Sequence, residues 1–183
     1  DAVAAYQTAG RIEHLFFLPI ISVATSLVTL VGMFYGAKRF DLIRTMIKYG
    51  LTRAVAISLS FSVLFLFFSD SILPVFTDSP EIIRLSVLYF KIMAFAYPFI
   101  TIGMTSTRIM QGLGVAYPMF ILTLFRVVII SASLAWYFVM ILEKPVYYAW
   151  VGTLISCIIT AGVSLFWLRS ILRRSFKSAV EPV

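Results

Sequence analysis

The 183-residue chain has one cysteine, one histidine and only eight acidic residues, and each shortage removes a class of function. A single thiol, Cys157, closes no disulfide within the chain, so the redox compartment is not legible from it. Set inside an apolar segment, it reads as a small core residue. The lone histidine, His14, has no second His, Cys or carboxylate at ligand spacing, so no metal site is expected. No phosphate loop, strand-linked nucleotide fingerprint or GxSxG elbow occurs, and the acids at membrane depth reduce to Glu13. Neither an enzyme nor a bound cofactor is expected. Charge is scarce as well, at 13% of residues.

What fills the chain is apolar: 61% of residues are hydrophobic and 16% aromatic, with mean hydropathy +1.01. Ordinary water-soluble domains are far more polar than this. A helix needs about 20 mostly apolar residues to cross a hydrocarbon core of roughly 30 Å. Five windows meet that length, at approximately 3–35, 41–69, 81–110, 117–142 and 147–171, within a single transmembrane domain over 1–183. The expected fold is therefore an all-α integral membrane protein of five transmembrane helices. Gly36, the GLG of residues 112–114 and the EKP of 143–145 read as helix stops, while Pro19 and Pro98 predict kinks inside the first and third helices. Tyr147, Tyr148 and Trp150 suit an interfacial belt, and Thr153, Ser156, Thr160 and Ser164 a helix-packing stripe. Residue 1 is Asp and no cleavable leader precedes the first apolar segment, so the chain reads as a fragment, a processed product or one piece of a larger protein.

The fifteen Lys and Arg give the chain a formal net charge of +7. They concentrate on alternate connections: Lys38, Arg39, Arg44, Lys48, Arg53, Arg108, Arg169, Arg173, Arg174 and Lys177 fall on one side, while the acids Asp1, Asp70, Asp78, Glu81 and Glu143 fall on the other. Short loops rich in Lys and Arg stay cytoplasmic. The chain start is thus expected outside and the C-terminus in the cytoplasm, and the basic excess is assigned to topology, with no nucleic-acid partner.

Ionisable groups inside the spans are the candidates for function, because a charge at mid-membrane costs about 2.5–3.5 kcal/mol on insertion scales and turns to a bundle interior or a watery cavity. On the first helix Gln7, Arg11, His14, Ser22, Thr25 and Thr29 share a face at 100° per residue, while Glu13 points almost oppositely with Tyr6 and Phe17. Glu13 must then meet a cation on another helix, open onto water or be protonated. Lys91 on the third helix and Arg126 on the fourth are the cations on offer, so Glu13, Lys91 and Arg126 either line a polar pathway, or neutralise one another or snorkel to an interface and merely fix helix register.

Three stretches taken together, VAAYQTAGRIEHLFFLPI, LVGMFYGAKRFDLIR and RIMQGLGVAYP followed by Arg126, resemble the second half of MATE (multidrug and toxic compound extrusion) transporters. The likeness extends over nearly the whole chain. It implies the greater part of one six-helix lobe of a two-lobe carrier. The carrier would exchange amphipathic or cationic small molecules for Na+ or H+ by alternating access, in the cytoplasmic membrane. The missing N-terminal lobe and membrane lipid are the implied partners. The turn Gly36, Ala37, Lys38, Arg39 would lie on the cytoplasmic side. The resemblance implies, for sodium-coupled members, coupling acids on the lobe's first and fourth helices; the fourth would be the third helix here, whose middle, KIMAFAYPFITIG, has Lys91 and no carboxylate, so no coupling ion is assigned. Two other readings remain: a flippase for lipid-linked oligosaccharide, matched to phosphates by Arg11, Lys91 and Arg126, and a non-transporting membrane scaffold or subunit.

Overall fold

The computed structural model describes the backbone of residues 2–77, 79–141 and 147–180 and the side chains of 6–7, 9–77, 79–141 and 148–176. Five long helices account for nearly all of it: α1 (Ala2–Gly36), α2 (Phe40–Ile72), α3 (Pro80–Gly112), α4 (Tyr117–Ile141) and α5 (Tyr147–Val180). All five are long and apolar enough to cross a membrane. The turn 143–145, Asp1 and Asp78 lie outside the described residues.

α3 is the centre of the packing, touching α1, α2, α4 and α5. It runs parallel to α1 with a nearly constant offset in number: Tyr6 meets Tyr89, Phe17 meets Tyr97, and Val31 meets Gly112. Two apolar clusters form along this axis. The first gathers Ile12, Phe65, Phe90, Met93, Tyr97 and Trp150, with Phe65 stacked on Phe90 at 4.4 Å and 2°. Such aromatic pairs are worth about 0.5–1.5 kcal/mol beyond their burial. The second cluster gathers Val31, Ile43, Ile109, Met110, Leu122 and Leu168. Between the two, close packing rests on small side chains. Gly50, Ala54, Ser58 and Ser62 recur every four residues on the buried face of α2, and Ser156, Thr160 and Ser164 do so on α5, each of the last three bonded back to its own helix. Lipid supplies no hydrophobic drive for helix association, so near backbones and dispersion contacts must hold the bundle.

Two helix ends share one geometry. After α1, Arg39 N–H bonds to Phe34 O and Lys38 N–H to Tyr35 O. After α3, Val115 N–H bonds to Met110 O and Gly114 N–H to Gln111 O. These paired closures need a left-handed residue, which is Gly114 at φ 85° in the second case and Lys38 at φ 55° in the first. Gly36 is still helical, so the expected stop at Gly36 is displaced two residues onto a lysine. A non-glycine residue there costs about 1–2 kcal/mol. Replacing Lys38 with Gly should therefore raise stability by about 1 kcal/mol, read as a higher melting temperature in detergent.

α4 departs most from a regular helix. Residues Phe125–Ala132 and Tyr137–Ile141 are wound wide, in π-type turns, and Pro118 and Leu122 are the buried residues of its described length. α5 continues past Ile171 to Val180; around that point Leu168 and Ile171 are buried while Arg169, Arg173 and Arg174 are exposed.

Candidate functional site

Two cavities open against the α3–α4–α5 wall. The larger, about 370 Å³, is bounded by Tyr6, Gly10, Glu13, His14 and Phe17 of α1, Tyr89 and Met93 of α3, Arg126 of α4, and Trp150 and Thr153 of α5. The smaller, about 140 Å³, lies among Ile100, Met104, Thr107, Met119, Leu122, Thr123, Arg126 and Cys157. Arg126 belongs to both.

Glu13 is half-buried and turned toward α3, where the Tyr89 hydroxyl donates to its Oε2 at 3.0 Å. Its Oε1 is buried without a partner. The Tyr97 hydroxyl faces the same carboxyl but closes no hydrogen bond in this geometry, leaving two buried polar atoms unsatisfied side by side. Unpaired atoms of this kind mark places where a protein holds water, an ion or a proton, or stores strain. Tyr89 is fixed in turn by Tyr6, Phe90 and Trp150, whose rings pack edge-on at 5.6, 5.7 and 5.3 Å.

The other expected residues scatter. Gln7, Arg11, Ser22, Thr25 and Thr29 are all exposed, on a face of α1 that none of the other described helices covers; His14 is exposed on the cavity edge. Lys91 does not join Glu13 and Arg126. Its Nζ pairs with Asp70 Oδ2 at 3.2 Å, with both side chains about half in solvent or beyond. This corrects the three-residue grouping, because Asp70 at the far end of α2 offers Lys91 a nearer anion. Such an exposed pair is worth about 0–1 kcal/mol. In the turn, Arg39 grips Asp41 through Nε and Nη2 at 3.3 and 3.2 Å, and this hydrogen bond, with the charge beside it, raises the Arg39 pKa above its ordinary value.

Sequence reasoning missed half of the cavity wall. Trp150 is not an interfacial anchor but a buried wall residue packed on Tyr89. Tyr89 and Tyr97 went unremarked, although their eight-residue spacing on α3 places both on one face. Cys157 is buried, as expected of a core residue, yet it also accepts the Arg126 Nη1–H at 3.7 Å.

The MatE family model matches residues 1–137. The chain belongs to the MATE family. Among curated MATE relatives it is similar to the probable multidrug resistance protein NorM of Thermotoga maritima, 23% identical over 93% of this chain and 37% of that protein. The NorM protein of Bacillus cereus is 26% identical over 94% and 38%. Of solved structures, the MATE transporter ClbM in complex with Rb+ superposes with a TM-score of 0.87 at 26% identity, over 97% of this chain and 42% of that one. An outward-facing multidrug resistance MATE transporter gives 0.88 at 25%, over 96% and 39%. The chain thus spans about two fifths of the length of these MATE proteins, which fits one half of a two-lobe carrier, and its five helices make it a multi-pass membrane protein.

Proposed function

We propose that this chain is the greater part of the C-terminal lobe of a multidrug efflux transporter that works as an antiporter driven by Na+ or H+. Transport proceeds by alternating access, with each lobe nearly rigid and ligand and ion biasing which side is open. The observation that carries this reading is Glu13: a carboxyl at membrane depth, one oxygen held by Tyr89 and the other without a partner, set in an aromatic-walled cavity large enough for a small molecule. Amphipathic or cationic compounds meet Tyr6, Phe17, Tyr89 and Trp150 as apolar walls and Glu13 as counter-charge. Gln7 and Arg11 extend the polar face beyond the cavity edge, toward the partner lobe. The Lys- and Arg-rich connections orient the chain in the cytoplasmic membrane with its start outside and its C-terminus inside, so that Gly36 to Arg39 form a cytoplasmic turn.

The test is export of a fluorescent cationic dye from cells carrying the full-length transporter. Export that collapses when the sodium or proton gradient is dissipated supports the antiporter and identifies the ion. Export that persists without either gradient overturns it. A flippase for lipid-linked oligosaccharide is the second reading, favoured by Arg126, which meets no carboxylate among the described residues; accumulation of a lipid-linked sugar on gene deletion, without loss of dye export, would select it.

A further inference from the structure

Arg126 stands at the junction of the two cavities, and the protein offers it little. Neither Arg39–Asp41 nor Lys91–Asp70, ion pairs seen among the described residues, involves it. Its hydrogen-bond partner is the Cys157 thiol at 3.7 Å, a weak and neutral acceptor for a fork of five N–H donors. Glu13 lines the same larger cavity, yet its Oε2 is taken by Tyr89 and it forms no ion pair with Arg126. A guanidinium at membrane depth is costly unless it faces water or an anion. The backbone beneath it is unusual too, since the wide-wound stretch of α4 begins at Phe125, and such turns recur at functional sites.

We propose that Arg126 anchors an acidic group, a sulfonate, carboxylate or phosphate, on an amphipathic ligand whose apolar body lies in these cavities. This rests on the reading that the cavity carries the transported compound. It extends the range of compounds beyond cations. The planar fork matches the two oxygens of such a group in parallel hydrogen bonds, which a neutral thiol cannot replace. Tyr89, Trp150 and Phe17 on one side, and Ile100, Met104 and Met119 on the other, supply apolar surface within reach of the fork. Thr123, one turn before Arg126 on the wall of the smaller cavity, offers a hydroxyl beside it. The ligand has two natural sources, a soluble organic acid or a lipid headgroup, and they share this chemistry.

The experiment is an equilibrium titration of the purified full-length transporter in neutral detergent with no ion gradient, using pyrenesulfonate and its uncharged analogue pyrenemethanol. Dioctanoyl phosphatidic acid and dioctanoylglycerol form the parallel lipid pair. Wild type should bind the acidic member of at least one pair about tenfold tighter than its neutral partner, and Arg126→Gln should bring the two within about twofold. The pair that loses its preference identifies the source. Cys157→Ala, which removes the thiol and leaves the guanidinium, should keep the preference. Arg126→Lys, which keeps the charge and loses the fork, should keep only part of it and covers the case in which the Gln variant does not fold. No preference for either acid in wild type, or a preference that survives Arg126→Gln, overturns the proposal. Because no gradient is applied, this result is independent of dye export: an antiporter without an acid-binding arginine and an acid-binding arginine without antiport give different pairs of outcomes.

Discussion

Glu13→Gln in the full-length transporter should cut gradient-driven dye export by about tenfold or more, the scale of one lost charged hydrogen-bond partner in a buried setting. The substitution keeps the shape of the side chain and its contact with Tyr89, so the cavity and its aromatic walls stay in place. What it removes is a group that can exchange a proton or hold a cation. Dye binding without a gradient should change by no more than about threefold, because the apolar walls supply most of the contact area. Tyr89→Phe should fall between wild type and Glu13→Gln, since it deletes the donor to Oε2 but leaves the ring contacts with Tyr6, Phe90 and Trp150. Initial export rates in cells, normalised to transporter in the membrane, make the comparison. Full export with unchanged coupling in the Gln variant removes Glu13 from the mechanism.

Gly112→Val should be the most destabilising single change in the α1–α3 contact. A Cβ at Gly112 would lie 2.8 Å from the Val28 carbonyl oxygen and 3.1 and 3.2 Å from side-chain atoms of Val31. Backbone oxygen cannot swing aside as a side chain does, so the helices must separate, and overpacking of this kind costs about 1–3 kcal/mol or more. Gly32 faces the same crossing, where a Cβ built on it would lie 3.4 Å from the Gly112 carbonyl oxygen, so the approach is tight from both helices. Gly103→Ala is the matched control. A Cβ there meets nothing within 4 Å, and removing a helical glycine should instead gain about 0.5–1 kcal/mol. Thermal unfolding in detergent should move in opposite directions for the two variants; equal shifts would show that the crossing does not depend on glycine.

The five crossings and the membrane class were legible because apolar runs of span length, broken by Gly and Pro, have few other physical solutions. Glu13 and Arg126 stood out because ionisable groups at that depth are costly wherever they occur. The rest of the cavity was not legible, for a different reason. Tyr89, Tyr97 and Trp150 are aromatic residues among 29 Phe, Trp and Tyr, and only the register of α1 against α3 decides which of them meet the carboxyl. The pairing of Lys91 was not legible either, because its partner, Asp70, comes from a neighbouring helix at a level that helical angles cannot report. The wide turns of α4 left no mark either, since Val, Ile and Ala are ordinary in a straight span.

Pro19 and Pro98 sit at nearly the same height on two parallel helices, given the offset that pairs Phe17 with Tyr97. Neither proline donates a backbone hydrogen bond, so the carbonyls of Leu15 and Ala94 lose their helical partners on one storey of the bundle. That storey divides the lobe into a floor locked by glycine and a ceiling that holds the carboxyl and its tyrosine. Within a lobe that otherwise moves as a nearly rigid unit, what little flexing remains should gather on that storey.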